Sequence, residues 1–391
     1  MNFNATNGLT AKQAGAMAAA AGICIANVYY NQPILNEIAI SLGVSETKIG
    51  WVAVLTQCGF GLGLFFIVPL GDKFRRKRLI LLMQAFLFCS LVGISIMRGL
   101  NGVYGMSLLI GLFAVATQVI LPMAASLETK NRGKTVGIIF TGILVGVLAA
   151  RLFSGFISAH MGWRYVYRLS ALLVFSSGLL IHFLLPDLHR PFSGNYRQLL
   201  GSTLQQVKRF VLLRRTALLG ALIFGIFTSF WTTLTFQLSS APFFYHADAI
   251  GLFGLLAIGG VLAAPVFGKQ ADKGNASRSQ LIMIWIIIAG VLLEKIFPHS
   301  LFSYIIAVLF IDMGTQAIQV TNLAIIYSLD EKVNSRINTV YMTSYFIGGA
   351  IGSLAGVLSW TYGGWQLVTT QLLIWSLLAF LLISSGKKLR F

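Results

Sequence analysis

Charge is scarce in this sequence. Its 29 Lys plus Arg and 11 Asp plus Glu make up 10% of 391 residues, whereas a soluble globular domain carries about a quarter. With 57% of residues hydrophobic, that scarcity excludes a soluble globular protein. Cysteine is sparse as well: Cys24, Cys58 and Cys89 all lie in apolar stretches without paired or metal-ligand spacing, so they read as packing residues. His160, His182, His189, His246 and His299 are scattered, and no glycine-rich phosphate loop follows a strand. An enzyme and a nucleotide-driven pump are both disfavoured, and no cofactor or metal is expected.

Apolar runs and glycine are abundant. The 40 glycines, about 10% of the chain against an average near 7%, suit membrane helices. Runs long enough to span a bilayer predict twelve helices at about 14–35, 49–70, 79–97, 103–127, 136–158, 166–186, 217–238, 249–268, 280–297, 301–329, 338–359 and 365–385. The expected fold class is therefore an all-α integral membrane protein of twelve transmembrane helices. The alanine run Ala18 to Ala21 resembles a signal peptide, but it continues into the polar Asn27 to Gln32 stretch, so the segment is read as a retained first span.

A net charge of +18 invites a nucleic-acid partner, yet the basic residues sit in short clusters between apolar runs. Cytoplasmic termini place 23 of the 29 Lys and Arg on the cytoplasmic side, five (Lys48, Arg98, Arg164, Arg168 and Lys295) on the other, and Arg151 inside a span. This bias is the positive-inside pattern, and it predicts a multi-pass protein of the inner (cytoplasmic) membrane with no nucleic-acid partner.

An internal repeat organises the chain. Leu70-Gly71-Asp72-Lys73 matches Gln270-Ala271-Asp272-Lys273, Gly162-Trp163-Arg164 matches Gly364-Trp365-Gln366, and Ser126-Leu127-Glu128 matches Ser328-Leu329-Asp330. The pairs keep their order at an offset of about 200 residues, a period that marks duplicated halves. Two pseudo-symmetric six-helix halves follow, residues 1–186 and 217–391, joined by a polar cytoplasmic linker at 187–216.

The chain resembles the major facilitator superfamily over its whole length. The family's loop motif appears as Val68-Pro69-Leu70-Gly71-Asp72-Lys73-Phe74-Arg75-Arg76-Lys77, with Val68 and Arg75 in place of two glycines, and again as Gly268-Lys269-Gln270-Ala271-Asp272-Lys273. The segments Asn27-Val28-Tyr29-Tyr30-Asn31-Gln32-Pro33 and Tyr341 to Gly349 are similar to a bacterial, drug-efflux-like branch of proton antiporters. The Gly-Pro pair of drug antiporters is missing from the fifth span, where Gly142, Gly146, Arg151 and Gly155 stand. The resemblance implies alternating access around a cavity lined by helices one, four, seven and ten.

Those four helices carry polar stripes: Asn27, Tyr30 and Asn31; Thr117 and Gln118 before Pro122; Thr228, Trp231, Thr232 and Thr235; and Asp312, Gln316 and Gln319. Each Thr or Gln serves equally well for an interhelical hydrogen bond. Asp312 is the acid deepest inside a predicted span, and Arg151 lies at similar depth; charged groups there cost several kcal/mol unless paired or facing water, so Asp312 marks function or a buried structural pair, and Arg151 function or a snorkelling or interhelical packing arginine. Asp312 is the candidate proton-coupling residue, and Arg151 suits an anionic substrate. Asp72, Arg76 and Asp272 are candidate gating residues, the acids set either to meet helix N-termini of the opposite half or simply to neutralise neighbouring Lys and Arg. Gly348, Gly352 and Gly356 form a smooth ridge on helix eleven against which another helix could rock.

The expected activity is export of a small, partly polar or anionic organic compound in exchange for protons, driven by the proton gradient, by a monomer in a lipid bilayer. Proton-linked uptake of a metabolite is the alternative, and a non-transporting receptor or assembly factor of the same fold is a more distant one.

Overall fold

The computed structural model describes residues 9–128, 132–187, 195–258, 276–330 and 333–385. Expected Asp272 and most of its basic loop lie outside these residues. The described chain is helical: α1 (Ala11–Ala26), α2 (Asn31–Leu42), α3 (Glu46–Phe66), α4 (Leu70–Lys73), α5 (Arg76–Ile96), α6 (Leu100–Ala114), α7 (Ala116–Leu127), α8 (Arg132–Met161), α9 (Trp163–Leu184) and α10 (Tyr196–Arg209). Then follow α11 (Val211–Ser239), α12 (Ala247–Leu252) with a 3₁₀ turn (Phe253–Ala257), α13 (Ala276–Ile296), α14 (Leu301–Tyr327) and α15 (Asn334–Ser385).

Among the described residues, nine helical stretches are long and apolar enough to cross a membrane. They differ from the twelve expected spans in three places. The expected first span divides into α1 and α2, the expected span 249–268 runs out of the described residues after Ile258, and the expected last two spans join in the 52-residue α15.

Local chemistry explains these boundaries. Thr10 and Gln13 form a reciprocal capping box that starts α1. The amide of Asn27 donates to the Ile23 carbonyl at 2.8 Å, occupying an acceptor at the end of α1, and Pro33 in the first turn of α2 has no N–H to offer a continuous helix. The helix resumes at Asn31 with a new register. α15 is interrupted at Gly363 and Gly364, the latter at φ 56°, a left-handed conformation that glycine adopts without steric cost. The turn from α8 to α9 uses Gly162 at φ 91° in the same way. Gly162-Trp163 and Gly364-Trp365, paired by the sequence repeat, are thus two copies of one device: a glycine turn followed by a buried tryptophan at the start of the next helical arm.

A second repeated pair behaves alike. Glu128, at the end of α7, accepts from the Leu9 amide at 3.0 Å just ahead of α1. Asp330, after α14, pairs with Arg209 at 3.0 Å just ahead of α11.

Bare backbone sets the tightest helix crossings. A Cβ on Gly142 or Gly146 of α8 would collide with the backbone of Ala18 or Gly22 of α1. On α15, Gly348 and Gly352 sit against the backbone of Ala221 and Gly225 of α11 in the same manner, and Gly356 sits against Ser229. The glycine ridge expected to let another helix rock is therefore filled by α11, its backbone in contact.

Two faces of the bundle can be told apart. One carries both described ends of the chain, with Arg75 and Arg78 on Asp187 at 2.9 and 3.4 Å and Arg215 donating to the Leu382 and Ile383 carbonyls; it is the terminal face. At the opposite face, helices preceding α10 are bonded to helices following it. Trp360 Nε1 donates to Glu46 at 2.6 Å, the Thr47 and Thr361 hydroxyls are 2.7 Å apart, and Thr235 donates to the Gln32 carbonyl at 2.6 Å.

Candidate functional site

The site is built on α8 and α14. Arg151 lies ten residues before the end of α8 and Asp312 eleven after the start of α14, so both stand about 15–17 Å of helical rise from the opposite face. Each is 1% exposed. α8 runs three residues beyond its expected end, which brings the two depths closer than the sequence suggested.

Three aromatic rings surround the Arg151 guanidinium: Trp231 of α11 at 3.7 Å from the ring centroid, Phe227 at 5.4 Å and Tyr29 at 5.7 Å. Such contacts are worth about 2 kcal/mol or more when desolvated, and they hold the cation without neutralising it. Its Nε donates to the Gln32 side-chain oxygen at 2.9 Å, while Nη1 and Nη2 have no hydrogen-bond partner. Asp312 is near enough for the two charges to interact, yet no ion pair joins them, and its Oδ2 is unpartnered. The Trp231 indole N–H lies beside the Asp312 carboxyl without completing a hydrogen bond. Thr315, one turn further along α14, also has an unpartnered hydroxyl.

Two free guanidinium nitrogens, an indole N–H and a carboxylate oxygen thus stand unpaired and buried around Trp231, with the unpaired Thr315 hydroxyl on the same helix as the acid. Buried polar groups are ordinarily satisfied, and unsatisfied ones clustered in this way mark a place made for another molecule or for water. Gly251 and Gly254, in and just after α12, press on Arg151: a Cβ on Gly251 would meet the Arg151 carbonyl at 2.6 Å, and one on Gly254 would meet its side chain at 2.8 Å.

The other expected residues take different places. Asn27 accepts from Ser170 at 2.7 Å and ties α1 to α9; Asn31 donates to Thr56 at 3.1 Å; Tyr30 packs on Phe153 at 5.6 Å. Thr228 donates to the Gly349 carbonyl at 2.7 Å, and Thr232 faces Ser353 at 3.5 Å, both binding α11 to α15. Gln316 and Gln319 are half-buried on the terminal side of Asp312, and Gln319 accepts from Tyr345 at 3.2 Å. Gln32, Tyr29 and Phe227 touch Arg151 although the polar stripes did not single them out. A helical wheel drawn through an unbroken first span misplaces Tyr29 and Gln32, since the chain changes register between Ala26 and Asn31.

Asp72 and Arg76 pair with each other at 3.2 Å. Arg76 also donates to the Gly71 and Pro122 carbonyls and to Ser126, fastening the start of α5 to α7. These two residues and half-buried Gln118 line a cavity at the terminal face with Thr203 of α10 and Ser335 and Arg336 at the start of α15. Asp72 makes no hydrogen bond to α15 itself.

A bundle of apolar helices enclosing an unpaired arginine and aspartate at depth is the architecture of a membrane transporter. The chain belongs to the Major Facilitator Superfamily, whose pattern matches residues 17–353. It is 35% identical over 368 residues to the putative uncharacterized transporter YgaY of Escherichia coli K12, covering 92% of this chain and 93% of the relative. A probable transporter of Streptomyces coelicolor is 25% identical over 345 residues, covering 88% and 80%. Among solved structures, a bacterial homologue of the human lysosomal transporter Spinster, inward-facing and unoccupied, has a TM-score of 0.76 over 96% of this chain and 97% of that one, at 13% identity.

Proposed function

We propose that this transporter exports a small organic anion in exchange for protons, by alternating access between two six-helix halves. The observation that carries this reading is the Arg151–Trp231–Asp312 cluster, with its unpaired donors beside an acid. The free face of the guanidinium offers two parallel N–H groups to a carboxylate or similar anion, and Tyr29, Phe227 and Trp231 offer rings to an organic body. Asp312, within electrostatic reach of the same arginine, competes with that anion when ionised and ceases to compete once protonated. Substrate and proton then occupy the site alternately, which is the requirement for exchange.

The glycine crossings and the glycine–tryptophan turns on both sides of α10 support division into halves at 187–216, with twelve spans in all. The charge bias supports cytoplasmic termini in the inner membrane, with the opposite face outside. The outer bonds described above then hold the outward route shut, and Asp72, Arg76 and the start of α15 form the inner gate. The lipid bilayer and a proton gradient are all the molecule requires, as a monomer and without a cofactor.

Reconstituted protein tests the reading. Asp312→Asn abolishes proton-driven accumulation and leaves counterflow of the same substrate, whereas Arg151→Ala weakens anionic substrates most. Full gradient-driven transport by Asp312→Asn overturns the assignment. A thermal-shift screen against metabolite and drug panels supplies the substrate, since a ligand that binds only the folded state stabilises it.

A further inference from the structure

Asp312 shares one property with a second acid. Glu294, on α13, is 0% exposed, and both its carboxyl oxygens lack a hydrogen-bond partner. It stands two residues from the end of α13 at Ile296, about 3 Å of helical rise. Depth along the bundle therefore does not explain its burial; Tyr304 of α14 stands beside it, with side chains of α11 and α15 grouped on that ring.

Those side chains are uncharged. Tyr304 of α14, also 0% exposed, stands beside Glu294 and donates to the Pro298 carbonyl at 2.8 Å. Gln237 of α11 approaches the same tyrosine hydroxyl. Trp365 of α15 packs on Tyr304 at 5.5 Å, and its indole N–H is buried without a partner. The adjacent Lys295 turns its ammonium away, to the Gln366 carbonyl at 3.2 Å and Thr370 at 2.7 Å. An ionised carboxylate with neither a partner nor a countercharge is strongly disfavoured, so this enclosure favours the neutral, protonated form of Glu294. Packing alone gives no reason for a carboxyl, because an apolar side chain of similar volume fills such a space as well or better.

Its position relative to Asp312 gives the proton a use. Rings run from the Arg151 site toward the opposite face: Trp231 to Phe230 at 6.0 Å, Phe230 to Trp365 at 6.3 Å, and Trp365 to Tyr304 at 5.5 Å. Tyr304 and Asp312 are eight residues apart on α14, about 12 Å of rise. Glu294 lies at the far end of this aromatic column, on the side sealed by Glu46–Trp360 and Thr47–Thr361.

We propose that Glu294 is a second proton-binding site of the transporter, loaded while the opposite face is sealed and exchanging its proton with water at that face when Tyr304 and Trp365 separate. This rests on the reading of the chain as a proton-exchanging carrier, and it adds a station between Asp312 and the opposite face.

Infrared difference spectroscopy of purified protein in lipid nanodiscs, titrated from acid to alkaline pH, tests it without transport or substrate. The probe is the C=O stretch of a protonated carboxyl, in protein carrying ¹³C-labelled glutamate so that glutamate bands shift and aspartate bands do not. The expected result is a glutamate band that disappears at alkaline pH in the wild type, is missing in Glu294→Gln, and persists at alkaline pH in protein locked by a Thr47→Cys/Thr361→Cys disulfide. A glutamate band that never titrates in unlocked protein makes Glu294 a permanently neutral packing residue and overturns the proposal. No such band, or one that titrates equally in locked protein, also overturns it. If Glu294→Gln fails to fold, the isotope shift in the wild type still identifies a glutamate, and Glu294→Asp displaces its band. The aspartate band and the Asp312→Asn transport assay report separately on the first acid, so either reading can fail alone.

Discussion

At the scale of single residues, the proposed chemistry turns on how Arg151 is held. A buried guanidinium paired with Asp312 would be a closed structural unit, costly to open. Here the cation rests on aromatic faces and one Gln32 oxygen, so two of its nitrogens remain available. Trp231 serves both charges, through its ring to Arg151 and its N–H toward Asp312. Trp231→Phe keeps a ring under the cation and removes the N–H; Trp231→Ala removes both. The alanine variant is expected to lose about 30-fold in affinity, the equivalent of about 2 kcal/mol, and the phenylalanine variant much less. Calorimetric titration with the substrate from the thermal-shift screen measures the difference; equal losses in the two variants would show that the ring does not hold the cation. The burial of Arg151 and Asp312 inside the bundle was legible in the sequence because both charges lie within apolar runs, although the runs alone do not separate a site from a structural pair. Gln32 and Tyr29 were not legible, because the break after Ala26 resets the helical register, and Glu294 was not, because its place near a span end gave no sign that it is fully buried.

At the scale of elements, glycine sets how closely helices approach. Gly352 on α15 and Gly225 on α11 meet backbone to backbone, as Gly146 and Gly22 do on α8 and α1. Gly352→Leu is expected to cost about 1–3 kcal/mol by forcing α11 and α15 apart, seen as a lower unfolding temperature in detergent. An unchanged melting temperature would mean that this contact is not a constraint. Gly15, inside α1, where an added methyl group would have no atom within 4 Å, serves as the control: Gly15→Ala should not lower the unfolding temperature. The Asp72–Arg76 pair acts at the same scale, by fastening the α4–α5 turn to α7 beside the start of α15. Asp72→Asn is expected to widen the distribution of distances across the terminal face in double electron–electron resonance; identical distributions would remove Asp72 from the gate.

For the whole molecule, a few directional bonds at the rim of the opposite face join helices from before and after α10. The Thr47 and Thr361 hydroxyls are 2.7 Å apart, so these two positions are a natural place to test a cross-link between cysteines. Thr47→Cys with Thr361→Cys is expected to stop transport when oxidised and to recover it on reduction, in a background lacking the three native cysteines. Transport that continues in the fully oxidised protein would show that this face need not open. Orientation is measurable independently: a cysteine in α10 should resist an impermeant reagent added outside intact cells, and its reaction would invert the proposed topology.

Composition and order along the chain determined the helical membrane class, the family and the repeat, because long apolar runs, loop charge and duplicated motifs are properties of the one-dimensional sequence. They also marked Arg151 and Asp312, since a charge at membrane depth is conspicuous without coordinates. Tertiary structure alone decided which polar groups are spent on packing and which stay free. Asn27, Asn31, Thr228 and Thr232 belong to the same stripes as Trp231 and Asp312, yet their hydrogen bonds close between helices. That sorting depends on helix breaks at Ala26 and Gly363, on rotation about each axis and on which backbones glycine lets approach. Such relations join residues far apart in the chain, and helical periodicity within one segment carries no record of them.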